Sequence, residues 1–287
     1  MPRQATETRY VVTGAGLGLK QELIPEILEQ QPDDIAFVEV APENWIGVGG
    51  ARRRDFERVL ERYPMVCHGL SLNIGGTVPL DTNFLHDLRH FLDDNQVQTY
   101  TEHLSWCGDS GQLYDLMPIP FTEEAVHHVA ARIRQVQDTL GRRIGMENVS
   151  TYVMPPGEMS EIEFLVAVLE EADCGFHLDI NNIFVNAVNH GFDPYDYLAR
   201  IPAERILYAH IAGHHEAAPD LRIDTHGEDV IPEVWSILDA AYQRYGVFPT
   251  LLERDFNIPP LDILRREIAQ ILDAQQRHAK AHDEHVA

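Results

Sequence analysis

RIGMENVSTYVMPPGEMSEIEFLVAVLEEADCGFHLDI, residues 143–180, holds two short apolar runs, RIGMENV (143–149) and CGFHLDI (174–180). Between them EIEFLVAVLEEA (161–172) repeats its apolar residues at i, i+3 and i+4, the spacing of one helix face. The start MSEIEF supplies an N-cap and early acids, which mark the beginning of a helix. Strand, helix, strand in that order is the unit that joins two parallel strands.

Working outward, the same unit recurs. Further strands are expected at TGAGLGL (13–19), IAFVEV (35–40), MVCHGLSL (65–72), VQTYTEHL (97–104), RILYAHI (205–211) and PTLLERD (249–255). Helical spacing fills the intervals, as in FLHDLRHFLDD, AVHHVAARIRQVQDTL and LDILRREIAQILDAQ, and DPYDYLARI forms a short helix before the seventh strand. Eight strands, each followed by something helical, predict an α/β chain closed as a (β/α)8 TIM barrel, which runs to about 250 residues. An open doubly wound sheet is the competitor. It calls for a glycine fingerprint at the first turn, and GAGLGL lacks the third spaced glycine. The expected organisation is one domain over 1–287, with the barrel over about 13–275 and a frayed tail over 276–287.

Composition narrows the function. Asp and Glu number 46 against 22 Lys and Arg, a formal net charge of −24. Nucleic-acid binders neutralise phosphates with Lys and Arg, so a polyanionic partner is disfavoured. No stretch reaches the roughly 18 apolar residues of a membrane span, and no signal peptide is evident, so a cytoplasmic protein is expected. Cys67, Cys107 and Cys174 form no CxxC pair and are expected to be reduced and in or near the core.

In such barrels functional groups project from the C-terminal strand ends and the loops beyond them. Those ends read Glu39 with Glu43 and Asn44, then His68, Glu102 with His103, and Glu147 with Asn148. They continue with His177, Asp179, Asn181 and Asn182, then His210 and His214, and finally Glu253, Arg254 and Asp255. Asp224 and His226 fall in a long loop after the seventh strand, at the same face. Singly, each is ordinary core or capping polarity. Together they stand where barrels favour Val, Ile and Leu, and leaving them unpaired costs about 1–3 kcal/mol each. A shared cation satisfies them jointly. Imidazole and carboxylate without thiolate suit Fe, Mn, Zn or Co, and the donors outnumber one ion's needs, so two or three ions are expected. Period-two alternation turns Cys67 away from the face of His68. Arg254 and Asp255, after Glu253, are expected to make a buried ion pair rather than to take part in the chemistry.

The segments FVEVAPENW, HGLSLNIGG, TEHLSW, ENVSTY, LDINNIFVNA, HIAGH, IDTHG and LLERDFNIP resemble, in order, the multinuclear non-haem iron-dependent oxidases. That family is similar in fold to xylose isomerase and to the divalent-metal apurinic endonucleases. The resemblance implies one iron on His68, His103 and Glu147, with Glu147 bridging to a second on Asp179, His210 and Glu253. It implies a third position at Asp224, His226 and Asn182, although the endonuclease pattern has a histidine where this chain has Asn182. His177 is a secondary candidate. Catalysis is expected at Glu147, His68, His103 and Asp179, supported by Glu102, Asn148, His214 and Asn44. Characterised members use dioxygen and mixed-valent iron to modify a cysteine of a ribosomally made precursor peptide, commonly with a small partner protein that presents the leader. A zinc or manganese phosphoesterase, a sugar isomerase and a non-enzymatic metal- or peptide-binding subunit are the alternatives. The isomerase would want a lysine among the strand ends, and none of the eight supplies one.

Overall fold

Alternating side chains in the short apolar runs give strands whose two faces pack differently, one into the barrel and one against the helices. The computed structural model describes residues 9–109, 111–154 and 157–286. From the N-terminus come β1 (Ala15–Gly18), α1 (Ile24–Gln30), β2 (Phe37–Val40), α2 (Gly50–Leu60), β3 (Met65–Gly69), α3 (Thr82–Asp94) and β4 (Tyr100–His103). A hairpin of β5 (Trp106–Gly108) and β6 (Gln112–Met117) precedes α4 (Glu123–Leu140), β7 (Gly145–Glu147), α5 (Glu161–Ala172) and β8 (Gly175–Asp179). Next are α6 (Ile180–His190), α7 (Pro194–Leu198) and β9 (Ile206–Ile211). A second hairpin, β10 (His215–Ala218) and β11 (Leu221–Ile223), leads to α8 (Pro232–Tyr245), β12 (Thr250–Leu252) and α9 (Leu261–Val286).

Eight of these strands close a parallel barrel in the order β1-β12-β9-β8-β7-β4-β3-β2. All eight expected strands are present, trimmed at their ends. The two hairpins were not expected, and β11 occupies part of a stretch read as loop. Both hairpins sit on connections that leave the C-terminal face, after β4 and after β9.

Alternation sorts the interior. Phe37, Val66, Tyr208 and Leu251 form a small cluster inside the barrel, separate from the main core between strands and helices, which holds Val38, Cys67, Met146 and Leu178. Cys67 is therefore on the helix side while His68 faces in. Gly145 and Gly175 leave the room that Leu207 fills; a Cβ on either would stand 2.7 or 2.6 Å from its side chain.

Helix starts follow the sequence signals. Ser160 and Glu163 form a reciprocal capping box on α5, Thr122 caps α4 and Asp81 caps α3. The chain continues as α9 as far as Val286, through the stretch expected to fray, with Arg277 and His278 both on Asp239 of α8. Residue 287 lies outside the described residues.

Gly213 sets the path of the loop after β9. The returning backbone passes so close that a Cβ on Gly213 would stand 2.1 Å from the Glu228 carbonyl oxygen. Asn189 of α6 binds the Arg222 backbone on both sides, at 3.0 and 2.7 Å, and docks β11 onto the barrel. We expect Gly213→Ala to lose about 1–3 kcal/mol, the range for overpacking. Gly49→Ala, where a Cβ meets nothing within 4 Å, should cost far less. Denaturant midpoints of the two variants check this, and equal midpoints would contradict the assigned contact.

Candidate metal centre

At the C-terminal end of the barrel the inward positions of β3, β4, β7, β8, β9 and β12, or the residue just beyond, carry His68, His103, Glu147, Asp179, His210 and Glu253. They line or lie beneath a cavity of about 440 Å³. His68 Nε2 and His103 Nε2 are 3.1 Å apart, and both approach Glu147 Oε2, at 3.1 and 3.3 Å. The other Glu147 oxygen stands 3.7 Å from His210 Nδ1, which also lies 3.8 Å from Asp179 Oδ2 and 2.9 Å from Glu253 Oε2. Glu253 Oε2 is in turn 3.3 Å from His226 Nδ1. The carboxylate of Glu147 thus offers one oxygen to each of two neighbouring groups.

The rings are aimed from behind. His103 Nδ1 donates to the Gly69 carbonyl at 2.9 Å, His210 Nε2 to Glu39 at 2.9 Å, and His226 Nδ1 to Asp255 at 3.1 Å. Each partner can only accept, so in the neutral ring the opposite nitrogen carries the lone pair. His68 Nδ1 pairs with the Thr101 hydroxyl at 2.8 Å. Despite the crowding, Glu147 Oε2, Asp179 Oδ2, His210 Nδ1, His226 Nε2 and Glu253 Oε2 are buried without a hydrogen bond. The short distances between them are not aligned as donor to acceptor. They converge without bonding one another, which is the arrangement a cation resolves. Among the described residues, four such groups of three are close enough to share an ion: Glu39–His177–His210, His68–His103–Glu147, Glu147–Asp179–His210 and Asp179–His226–Glu253.

Electrostatics agree. Burial opposes charge on His103, yet Glu147 and Glu102 raise its pKa to about 9. Burial likewise works against charged His210 and His226, and the carboxylates around each overcome it and push both well up. Burial and the neighbouring Glu147 and Asp224 push Asp179 well above the ordinary carboxylate range. Without metal, the carboxylates are balanced by protons on the histidines.

Asp179 has a double role. Its Oδ1 caps α6 by accepting from Asn182 N at 2.6 Å, which leaves Oδ2 facing inward. Asn148 clamps this strand end through two 2.9 Å bonds to the Asp179 backbone. Asn182 donates to the Asn148 carbonyl at 3.0 Å, and its own Oδ1 is buried and unpartnered. Asp224 lies 2.6 Å from His226 Nε2, and both of its oxygens also accept, from Asn181 at 2.8 Å and Ser150 at 2.9 Å. His214 holds Asn181 at 2.8 Å, so it acts on Asp224 through that amide. His226 itself has φ 48, a left-handed backbone that L residues other than Asn, Asp and His seldom adopt.

Other expected residues fall further out. Glu102 is buried on the helix side, accepting from Tyr100 at 2.8 Å, and is 3.5 Å from His103 Nδ1. Asn44 is exposed on the cavity wall, and its carbonyl accepts from Arg52. His177 is wholly buried beneath the cluster, paired with Thr101 at 3.1 Å and stacked on Tyr208. Three points correct the sequence reading. Glu39, read at a strand end but given no role, is the acceptor that turns His210. Lys20, two residues past β1, does stand in the cavity, paired with Asp255. Arg254 and Asp255 make ion pairs on opposite sides: Arg254 with Glu267 at 2.8 Å and Asp229 at 3.0 Å, Asp255 with Lys20 and His226. Adjacent strand-end residues face opposite ways, so the two cannot meet.

Among solved structures the chain is similar to 3-keto-D-glucoside 4-epimerase YcjR from E. coli, with TM-score 0.60 and 12% identity over 90% of this chain and 98% of that one. It is also similar to D-psicose 3-epimerase from Clostridium cellulolyticum H10, with TM-score 0.58 and 11% identity over 92% and 99%. At such identities the likeness is one of fold: a xylose-isomerase-like TIM barrel. In sequence, a UPF0276 protein of Nitrosospira multiformis is 57% identical over 93% of this chain and 95% of its own length. A UPF0276 protein of Pseudomonas aeruginosa strain PAO1 is 51% identical over 95% and 96%. The profile described as RiPP precursor modification enzyme MbnB/TglH/ChrH matches residues 14–276, and the chain belongs to that family of peptide-modifying enzymes.

Proposed function

We propose that this protein is a multinuclear iron-dependent oxidase that uses dioxygen to modify a cysteine of its precursor peptide. The observation that supports it most is the buried set of unbonded nitrogens and oxygens from Glu147, Asp179, His210, His226 and Glu253, converging beside the His68–His103 pair. Nitrogen and oxygen donors without thiolate fit iron. His68, His103 and Glu147 would hold one ion, and Glu147, Asp179, His210 and Glu253 a second. Asp224, His226 and the Asn182 carbonyl would hold a third. Bound iron would supply electrons for dioxygen reduction and lower the pKa of a coordinated cysteine thiol.

The chain's own residues set the geometry. Glu39, the Gly69 carbonyl, Thr101 and Asp255 fix the rings, and Asn148 and Asn181 fix the carboxylate-bearing segments. Leu70, Tyr152 and Phe256 are exposed, at 41%, 44% and 64%, at the mouth of the cavity, where they offer apolar surface to a peptide. Lys20 is the one lysine or arginine among the described wall residues, against Asp115, Asp224, Glu253 and Asp255. Such walls repel a phosphodiester, which counts against the phosphoesterase reading. Lys20 meets one requirement of a sugar isomerase, but its pairing with Asp255 and the peptide-modifying family favour the oxidase. A small partner protein that presents the peptide leader belongs to the same proposal.

Anaerobically purified protein should contain two or three irons, exchange-coupled by Mössbauer spectroscopy, and should consume dioxygen with a cysteine-bearing peptide encoded beside its gene. Zinc alone would sink the iron assignment. Glu147→Gln should lose most of the metal and all activity, since one carboxylate serves two positions; full metal stoichiometry would contradict that. Asp224→Asn should weaken one position and spare the others, and unchanged iron content with unchanged activity would place the loop outside the site. Metal must displace protons from His103, His210 and His226, whose pKa values lie above the ordinary imidazole value. Metal affinity, measured by chelator competition, should therefore rise as pH rises toward about 9. A pH-independent affinity would mean that these rings are not ligands.

A further inference from the structure

A second cavity, also of about 440 Å³, lies on the flank of the barrel between the start of α5 and the α6–α7 junction. It shares no wall residue with the first. Phe121, Met159, Ile162 and Phe192 give it apolar walls, and Asp193 and Asp196 stand exposed at its rim. Glu161 brings a carboxyl into this setting. Its Oε1 accepts from the Tyr197 hydroxyl at 3.0 Å and its Oε2 from Asn186 Nδ2 at 3.1 Å. Each carboxylate oxygen has a second lone pair, so acceptor capacity remains. Among the described residues no lysine or arginine pairs with Glu161. Arg200 is in the wall but is held by Glu163 at 3.0 Å, and His190 is turned to Thr151. Burial pushes the Glu161 carboxyl up to about 7, against the hydrogen bonds from Tyr197 and Asn186, which lower it.

We propose that this flank cavity receives a lysine side chain of the precursor peptide, its methylenes against Phe121, Ile162 and Phe192 and its ammonium on Glu161. The identity of the ligand as a peptide rests on the peptide-modifying reading; the chemistry of the cavity does not. An aliphatic stem with a terminal cation matches apolar walls around one half-buried acid. Glu161 already holds one hydrogen bond on each oxygen, which suits a point-charge ammonium better than a guanidinium fork that takes both. The segment after β7 joins the two cavities. Ser150 and Tyr152 line the first and Met154 the second. Asn186 ties them further, since its amide accepts from Thr151 N at 2.8 Å and donates to Glu161. A peptide lying along residues 150–154 would reach both.

Methionine methyl groups read the occupancy directly, because Met154 and Met159 line the cavity while Met65 and Met146 are buried in the main core or beside it. Full-length protein labelled with methyl-13C methionine, assigned with Met154→Leu and Met159→Leu, would be titrated with Nα-acetyl-lysine methylamide. The Met154 and Met159 signals should shift saturably while those of Met65 and Met146 stay in place. The norleucine and Nε-acetyl-lysine analogues, which lack the charge, should bind at least tenfold more weakly, as should lysine to Glu161→Gln with its Met65 and Met146 signals unchanged. Absence of a saturable shift would overturn the proposal. So would equal binding of the norleucine or arginine analogue, or binding of butylammonium without binding of the amide-flanked lysine. The titration needs neither metal nor turnover. Lysine binding in a protein that proves to lack iron would therefore count against the oxidase alone.

Discussion

The structure depends on the compensation of negative charge at one end of a closed barrel. Glu147, Asp179 and Glu253 are carried inward by strands that have no freedom to turn them out, because reversing a strand by one residue would exchange its whole buried face. The same strands deliver His68, His103 and His210. The carboxylates raise the pKa values of His103, His210 and His226, and Asp179 resists ionisation because it is buried and Glu147 and Asp224 stand beside it. Protons are an incomplete answer, since five inward atoms still have no hydrogen bond. Buried ions without full satisfaction destabilise a fold, and barrel ends are otherwise built from Val, Ile and Leu. The constellation is costly as structure, so its account lies in what it binds.

Around that cluster, ordering comes from groups with no choice of role. A backbone carbonyl and two carboxylates each accept from one nitrogen of His103, His210 and His226, and so decide which nitrogen faces the centre. Asp179 divides its oxygens between capping α6 and facing the cluster, so a feature of helix formation also fixes a donor atom. Asn148 and Asn181 act one step further out. Asn148 holds the Asp179 backbone through paired amide bonds, and Asn181 donates to the Asp224 carboxylate while its amide oxygen is held by His214. Rigidity here is obtained from short, local, fully used hydrogen bonds, and the atoms left unused are those that point to one place.

Much of this was legible because two periodicities suffice to place it. Period two along each apolar run put His68, His103, Glu147, Asp179 and His210 on the inner face, and the βα order put their ends at one rim. Glu39 obeys the same period, but its significance is its bond to His210, which lies 171 positions away and leaves no local trace. Lys20 fell outside the strand and so outside any count of strand ends, though its side chain still reaches Asp255. The hairpins were missed because Trp106–Gly108 and Leu221–Ile223 are three residues each, too short for alternation to register. The left-handed turn at His226 was invisible for a different reason. Tertiary contacts impose it: Asp255 on one ring nitrogen and Asp224 near the other.

Asp224 and His226 therefore differ in kind from the strand-borne residues. The strand ligand candidates are positioned by the barrel itself and would survive large changes in the loops. The loop pair depends on a hairpin docked by Asn189, on a glycine under the Glu228 carbonyl, and on Ser150 and Asn181 from two other connections. Asp224 is also the one carboxylate of the group whose two oxygens are both already bonded. On the proposed reading, a position built this way could be tuned, or emptied, without disturbing the two positions that would share Glu147. The same connection that carries Ser150, which binds Asp224, continues to Met154 in the wall of the flank cavity. In this barrel the strands set where the chemistry can happen, and the loops after β7 and β9 set how completely the site is assembled.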